Sequence, residues 1–65
     1  GPGKAEAITK LAAERGYDLA SCYAYSDSIS DLPMLETVGH PHVVAPTRAL
    51  ARIAARRSWP TLSFR

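Results

Sequence analysis

The chain is short of most devices that hold very small proteins together. Among its 65 residues there is one cysteine, Cys22, so no internal disulfide can form, and no zinc-ligand spacing of cysteines appears. A lone cysteine in an apolar run reads as a small hydrophobe in a reducing, cytoplasmic setting rather than as a nucleophile. No apolar run approaches the ~20 residues of a membrane span, and nothing near the start has the form of a signal peptide. Charge of one sign is also scarce. Eight Lys and Arg against six Asp and Glu leave a net +2, too weak a balance to mark a nucleic-acid binder. A chain of this size buries only about 60% of the surface its unfolded form exposes, so it is one domain at most, or part of one.

What is present alternates in type. Ala5, Ile8, Leu11 and Ala12 recur at helical spacing and predict a helix from Lys4 to Arg15, closed by Gly16. Leu19 to Tyr25 reads as a strand whose lack of strict alternation suits a parallel sheet covered on both faces. A short helix follows over Asp31–Val38, then a strand over His42–Ala45 closed by Pro46. Thr47 caps a third helix to Arg57 with Leu50, Ile53 and Ala54 inward. The tail from Trp59 to Phe64 reads as a third strand, with Leu62 and Phe64 facing inward and Pro60 confining it to an edge or a strand start. Tyr17, Tyr23 and Tyr25 are assigned to core and rim packing, and Trp59 to a lid on the third helix.

The order helix-strand-helix-strand-helix-strand implies an α/β fold with a partial Rossmann-like parallel sheet. The opening helix has no strand before it, as in the back half of a larger α/β domain. Gly1-Pro2 reads as a remnant of tag cleavage, and residues 3–65 carry the fold.

The chemistry concentrates between Tyr25 and Leu35, where Tyr-Ser-Asp-Ser-Ile-Ser-Asp-Leu-Pro-Met-Leu joins a strand to a helix. Open α/β sheets place their ligands at such strand ends. Asp27 and Asp31 are hard oxygen donors suited to Mg²⁺, which takes only one or two protein carboxylates and keeps water or phosphate oxygens. Ser28 and Ser30 leave room for backbone and ion to approach. Spacing alone leaves the plainer alternative open, in which Asp31 caps a helix and Asp27 sits in a turn.

Lys4 at the start of a helix, followed by that eleven-residue stretch, resembles the last two motifs of haloacid-dehalogenase-superfamily phosphatases, most nearly the phosphoserine-phosphatase-like hydrolases. The resemblance continues through Val38-Gly39-His40-Pro41, the strand at Val43-Val44 and the ending at Trp59-Pro60. It implies a C-terminal fragment of a Mg²⁺-dependent phosphomonoesterase that acts on small phosphate esters through an aspartyl-phosphate. Lys4 matches the lysine that neutralises charge on nucleophile and phosphoryl group. Asp27 matches the Mg²⁺-coordinating aspartate, and Asp31 the second acid, which supports the metal shell.

The family's Asp-x-Asp nucleophile motif does not occur here, nor does its Ser/Thr motif or a cap. The isolated chain is therefore expected to be inactive without an N-terminal half. Ser26 stands where many relatives have glycine, and Ala45-Pro46-Thr47 replaces the usual Asn-Pro-Asp. The rival expectation is a non-catalytic binding or assembly module that pairs with another chain or self-associates through an open sheet edge. His40 and His42 read as surface histidines. Arg48, Arg52 and Arg56 form a solvated helix face, which leaves nucleic-acid binding disfavoured.

Overall fold

The computed structural model describes residues 2–63. Helix α1 (Pro2–Arg15) is followed by strand β1 (Tyr23–Ser26), the short helix α2 (Leu32–Leu35), β2 (His40–Val44), α3 (Arg48–Arg57) and β3 (Thr61–Leu62). The strands form one parallel sheet in the order β1-β2-β3, with Tyr23 opposite His40 and Val43 opposite Thr61. The α/β class and the alternating order are as the sequence implied. Several boundaries are not.

Leu19–Ser21 is a 3-10 turn rather than the beginning of a strand. Asp18 causes it by accepting the Ala20 N–H at 3.1 Å, a side chain-to-backbone bond that competes with extended structure. The second helix shrinks for the same reason. Ser28 caps a 3-10 turn at Ile29–Asp31 by accepting the Ser30 N–H, and only Leu32–Leu35 remain α-helical. β2 begins two residues earlier than its apolar run, because His40 N–H donates to the Cys22 carbonyl at 3.0 Å and so joins the ladder. At the start of α3, Thr47 caps as expected, accepting the Leu50 N–H at 3.5 Å. Its other end closes on Ser58 at φ +58°, with the Trp59 N–H on the Ala54 carbonyl. Trp59 folds back against α3 as a lid, half-buried, with the Arg57 guanidinium 5.2 Å from its ring centre.

The core lies on one side of the sheet. Ala24 and Val43 meet Leu35, Val38, Leu50 and Ala54 there, and Leu35, Val43 and Leu50 are fully buried. Each such side chain contributes about 1.5–3 kcal/mol relative to leaving it in water. α1 packs on α2 and buries Ala12, while Leu11 stays largely in water, so the apolar stripe expected on this helix is narrower than its spacing implied.

The other side of the sheet is not covered by any described residue. Tyr23 is 60% exposed and Tyr25 54%, so neither belongs to the core part of the expected core and rim packing, and the expectation that both sheet faces are covered is corrected. Tyr17 is likewise exposed. The cause is strand alternation: small Ala24 and Ser26 point to the helices and the tyrosines point away. Tyr23 stacks on His40 at 4.5 Å, and Tyr25 lies 5.0 Å from His42, so both histidines share this open face. Leu62 is also exposed rather than inward, and Phe64 lies outside the described residues.

Gly39 explains how the turn before β2 fits. A Cβ there would stand 1.7 Å from the Ala20 carbonyl oxygen, while the Gly39 N–H donates to the Leu19 carbonyl at 2.9 Å. The two backbones touch, and only glycine lets them.

Candidate functional site

The carboxyl end of β1 carries the site. Ser26 is the last strand residue, and the chain then turns through Asp27 and Ser28 into the 3-10 turn that ends at Asp31. Backbone geometry holds this turn from two sides. The Ser28 N–H donates to Ser26 Oγ at 3.1 Å, and the Thr47 N–H donates to the Asp27 carbonyl at 3.0 Å. The second bond ties the loop after β1 to the loop after β2. Both loops therefore sit at the same end of the sheet, where parallel α/β folds bind ligands.

Asp31 is the centre of the polar network. Lys4 Nζ, from the first turns of α1, donates to Asp31 Oδ1 at 2.7 Å across 27 residues of sequence. Ser26 Oγ donates to Asp31 Oδ2 at 2.6 Å. Both carboxylate oxygens are thus engaged, and the side chain is only 14% exposed. The hydrogen bond from Lys4, and then the one from Ser26, hold the Asp31 carboxyl below its ordinary value of 3.8, against a smaller opposing effect of burial. Stabilising the charged form is what such donors do.

Asp27 differs in every respect. Its side chain is exposed, and no described residue bonds to it. Ser28 is half-buried and spends its hydroxyl on the turn, accepting the Ser30 N–H at 3.2 Å and lying 2.9 Å from Ser30 Oγ. Those two serines bond to each other across the turn and so shape the loop. The structure thus brings Lys4 and Asp31 into contact, and Asp27 lies on the loop that leads from β1 to Asp31.

Two contributors escaped the sequence reading. Ser26 stood out only as a replacement for glycine, yet it is buried and aims its hydroxyl at Asp31. Its one available signal was position, a small polar residue on the inward side of a strand end. Thr47 read as a helix cap, and its own N–H also fastens the Asp27 loop.

The donor set fits a hard cation in part. Asp27 offers a carboxylate without competing partners among the described residues, and Asp31 offers one already paired with Lys4. Among the described residues no three His, Cys, Asp or Glu side chains are grouped to hold a metal ion. Mg²⁺ does not need three, since water and phosphate oxygens complete its shell. Of the two carboxylates, Asp27 is the exposed one and could ligate without first giving up a described contact.

A family model of haloacid dehalogenase-like hydrolases matches residues 1–36, which is more than half of the chain and includes Lys4, Asp27 and Asp31. The chain belongs to that family. Over 64 residues it is 66% identical to a Streptomyces azureus protein named for inhibition of morphological differentiation, covering 98% of this chain and 23% of that one. It is 64% identical to a Mycobacterium tuberculosis protein named a probable phosphatase, covering 98% of this chain and 22% of the relative. A phosphoserine phosphatase of the same organism is 43% identical over 65 residues, which is 100% of this chain and 21% of that enzyme. The chain therefore spans less than a quarter of these relatives. Among solved structures, a Bordetella pertussis protein of unknown function superposes with a TM-score of 0.81 at 34% identity, over 94% of this haloacid dehalogenase-like chain and 29% of its own.

Proposed function

We propose that this chain is the C-terminal wall of a Mg²⁺-dependent phosphomonoesterase site, of the phosphoserine-phosphatase type, acting on a small phosphate ester. The observation that carries the reading is the Lys4–Asp31 contact at the carboxyl end of β1, which joins the two matched motifs at 2.7 Å. Asp27 would hold the metal, and Asp31 would support it from beside. Bound Mg²⁺ supplies charge to offset the phosphoryl oxygens. Lys4, kept in place by Asp31, presents its ammonium towards the same oxygens, and Ser26 fixes the rotamer of Asp31.

In the whole enzyme the reaction runs through an aspartyl-phosphate, and the nucleophile comes from a segment outside these 65 residues. That segment also brings the general acid and the substrate pocket. The isolated chain is accordingly inactive, and the lone Cys22 suits a reducing, cytoplasmic setting. No helix among the described residues is long and apolar enough to cross a membrane.

The assembly reading keeps one observation in its favour. Parallel sheets are normally covered on both faces, and here Tyr23, Tyr25 and His40 lie exposed and His42 half-buried, while β1 pairs on one side only among the described residues. On the phosphatase reading that face and edge receive the rest of the enzyme.

Reconstitution tests both. Mixing the chain with a separately expressed segment bearing the Asp-x-Asp motif should restore Mg²⁺-dependent hydrolysis of a generic aryl phosphate. Recovery of full activity with Asp27→Asn sinks the metal assignment. A pair that associates tightly yet never hydrolyses the ester favours the assembly module.

A further inference from the structure

The small net charge conceals an uneven distribution. Residues 1–36 hold all six acids and three of the eight basic residues, whereas residues 37–65 hold five arginines and no acid. Four of those arginines, Arg48, Arg52, Arg56 and Arg57, stand on the ten-residue helix α3. Arg57 is paired with Glu36. Arg48, Arg52 and Arg56 are exposed, and the ion pairs among the described residues, Lys4–Asp31 and Arg57–Glu36, include none of them. Spaced four apart, the three form one row in steps of ~6 Å along the helix, about 12 Å from first to last.

This row works against the helix that carries it. Like charges at i, i+4 destabilise a helix, and Arg48 puts a cation at the positive end of the helix dipole, with no acid in the first turn to offset it. On α1 the exposed row at the same spacing reads Glu6, Lys10, Glu14, and so neutralises itself. A local cost on α3 with no compensating contact among the described residues points to a surface kept for a partner.

The chemistry of the row narrows the occupant. Guanidinium forks bind carboxylates and phosphates, so the occupant is anionic. The bases of a single strand stack on aromatic side chains, and Arg48–Arg57 contains none. A membrane-surface helix turns its apolar face to lipid, whereas α3 spends Leu50 and Ala54 on the core, and the exposed residues beside the row are Ala49 and Ala55. A carboxylate row of the same pitch is supplied by an α-helix with Glu at i, i+4 and i+8. The acids of α1 alternate with Lys10, so a second copy does not provide it. We propose that α3 is a docking face for an acidic helix of a partner protein, whose carboxylates pair in register with Arg48, Arg52 and Arg56. The row uses neither Lys4, Asp27 and Asp31 nor the open tyrosine face, so the inference does not depend on the phosphatase reading.

The probe is a fluorescein-labelled synthetic helix with Glu at i, i+4 and i+8, compared with an isomer whose Glu residues are spread around the helix. By fluorescence anisotropy the 65-residue chain should bind the registered peptide about tenfold more tightly, the summed effect of three exposed ion pairs. Arg48→Gln/Arg52→Gln should abolish that preference. Lys10→Gln/Arg15→Gln, which removes the same charge from α1, should keep it. The row variant relieves repulsion and should melt no lower than the parent chain, so its lost preference is not lost folding. Raising salt from about 0.01 M to about 1 M shortens the Debye length from about 30 Å to about 3 Å and should abolish binding. Equal binding of the two peptides, equal loss in both double variants, a lower melting temperature of the row variant, or binding that survives high salt each overturns the inference. A short single-stranded DNA and phosphatidylserine vesicles, at equal concentration of negative charge, form the last arms. Weaker binding than that of the registered peptide agrees with the proposal, whereas tighter binding of either overturns it in favour of nucleic acid or membrane.

Discussion

Gly39→Ala should come close to unfolding the chain, and the reason is local. The added Cβ would stand 1.7 Å from the Ala20 carbonyl oxygen and 2.5 Å from the Ala20 carbonyl carbon, where 3.0 Å is the closest approach real Cβ atoms make. The obstacle is backbone, which cannot swing aside as a long side chain can. The two segments must separate by about 1.3 Å, the difference between those distances. That movement breaks the Gly39–Leu19 bond at 2.9 Å and strains the His40–Cys22 bond at 3.0 Å, which starts the β1–β2 pairing. Two backbone hydrogen bonds at about 1 kcal/mol each, with about 1–3 kcal/mol of overpacking, give roughly 3–5 kcal/mol. Domains of this size have only ~3–10 kcal/mol in total. Gly16 is the control: it needs its φ of +70° but has open space around it, so Gly16→Ala should cost only about 1 kcal/mol. Urea unfolding followed by Trp59 fluorescence measures both. Equal midpoints for the two variants would refute the account of close backbone contact.

Three further outcomes follow from named contacts. Lys4→Met should raise the Asp31 pKa most and Ser26→Ala less, as read by carboxyl-carbon NMR titration. The native Asp31 pKa is depressed, so the stabilisation it confers is present above the ordinary value of 3.8 and lost as pH falls through the lower folded value; in both variants that window narrows. Ser58→Gly should stabilise the chain by about 0.5–1 kcal/mol, because a non-glycine residue holds φ +58° at the end of α3; an unchanged midpoint argues against strain there. Leu50→Ala should cost about 2–5 kcal/mol, since this side chain is fully buried between α3 and the sheet, and a loss below 1 kcal/mol would mean that the core is not closed.

The sequence was most legible where one signal acted alone. The third helix had a cap in Thr47 and an inward face in Leu50 and Ala54, and it formed as its spacing indicated. Legibility failed where short polar side chains competed with the backbone. Asp18 converted the expected start of β1 into a turn, and Ser28 did the same to α2. Neither competition has a periodic signature, because it depends on one hydroxyl or carboxylate finding one N–H. The aromatic residues misled for another reason. Tyr23 and Tyr25 look like core by type, yet alternation sends them to the side opposite Ala24, and which side is covered depends on where the helices pack. At the site, the residues matching the family motifs were visible in the stretch itself, but the bond from Ser26 to Asp31 was not. It arises only because a strand end and a helical turn five residues later fold onto each other.

That bond also separates the two aspartates into unequal parts. A carboxylate gripped by an ammonium and a hydroxyl has both oxygens occupied, so exchanging them for a metal would first cost those contacts. Among the described residues none bonds to the exposed Asp27 side chain. On the proposed phosphatase reading, direct ligation therefore belongs to Asp27, and Asp31 acts mainly by holding Lys4. The charges agree with this division. Lys4 and Asp31 cancel, leaving the single negative charge of Asp27 to face a divalent cation. A lone carboxylate does not neutralise that cation, and the remaining positive charge is what a phosphate ester and the acids of the rest of the enzyme would meet. The pair fixes an ammonium at the strand end, and on the proposed reading Asp27 would be the carboxylate that this segment extends to the metal.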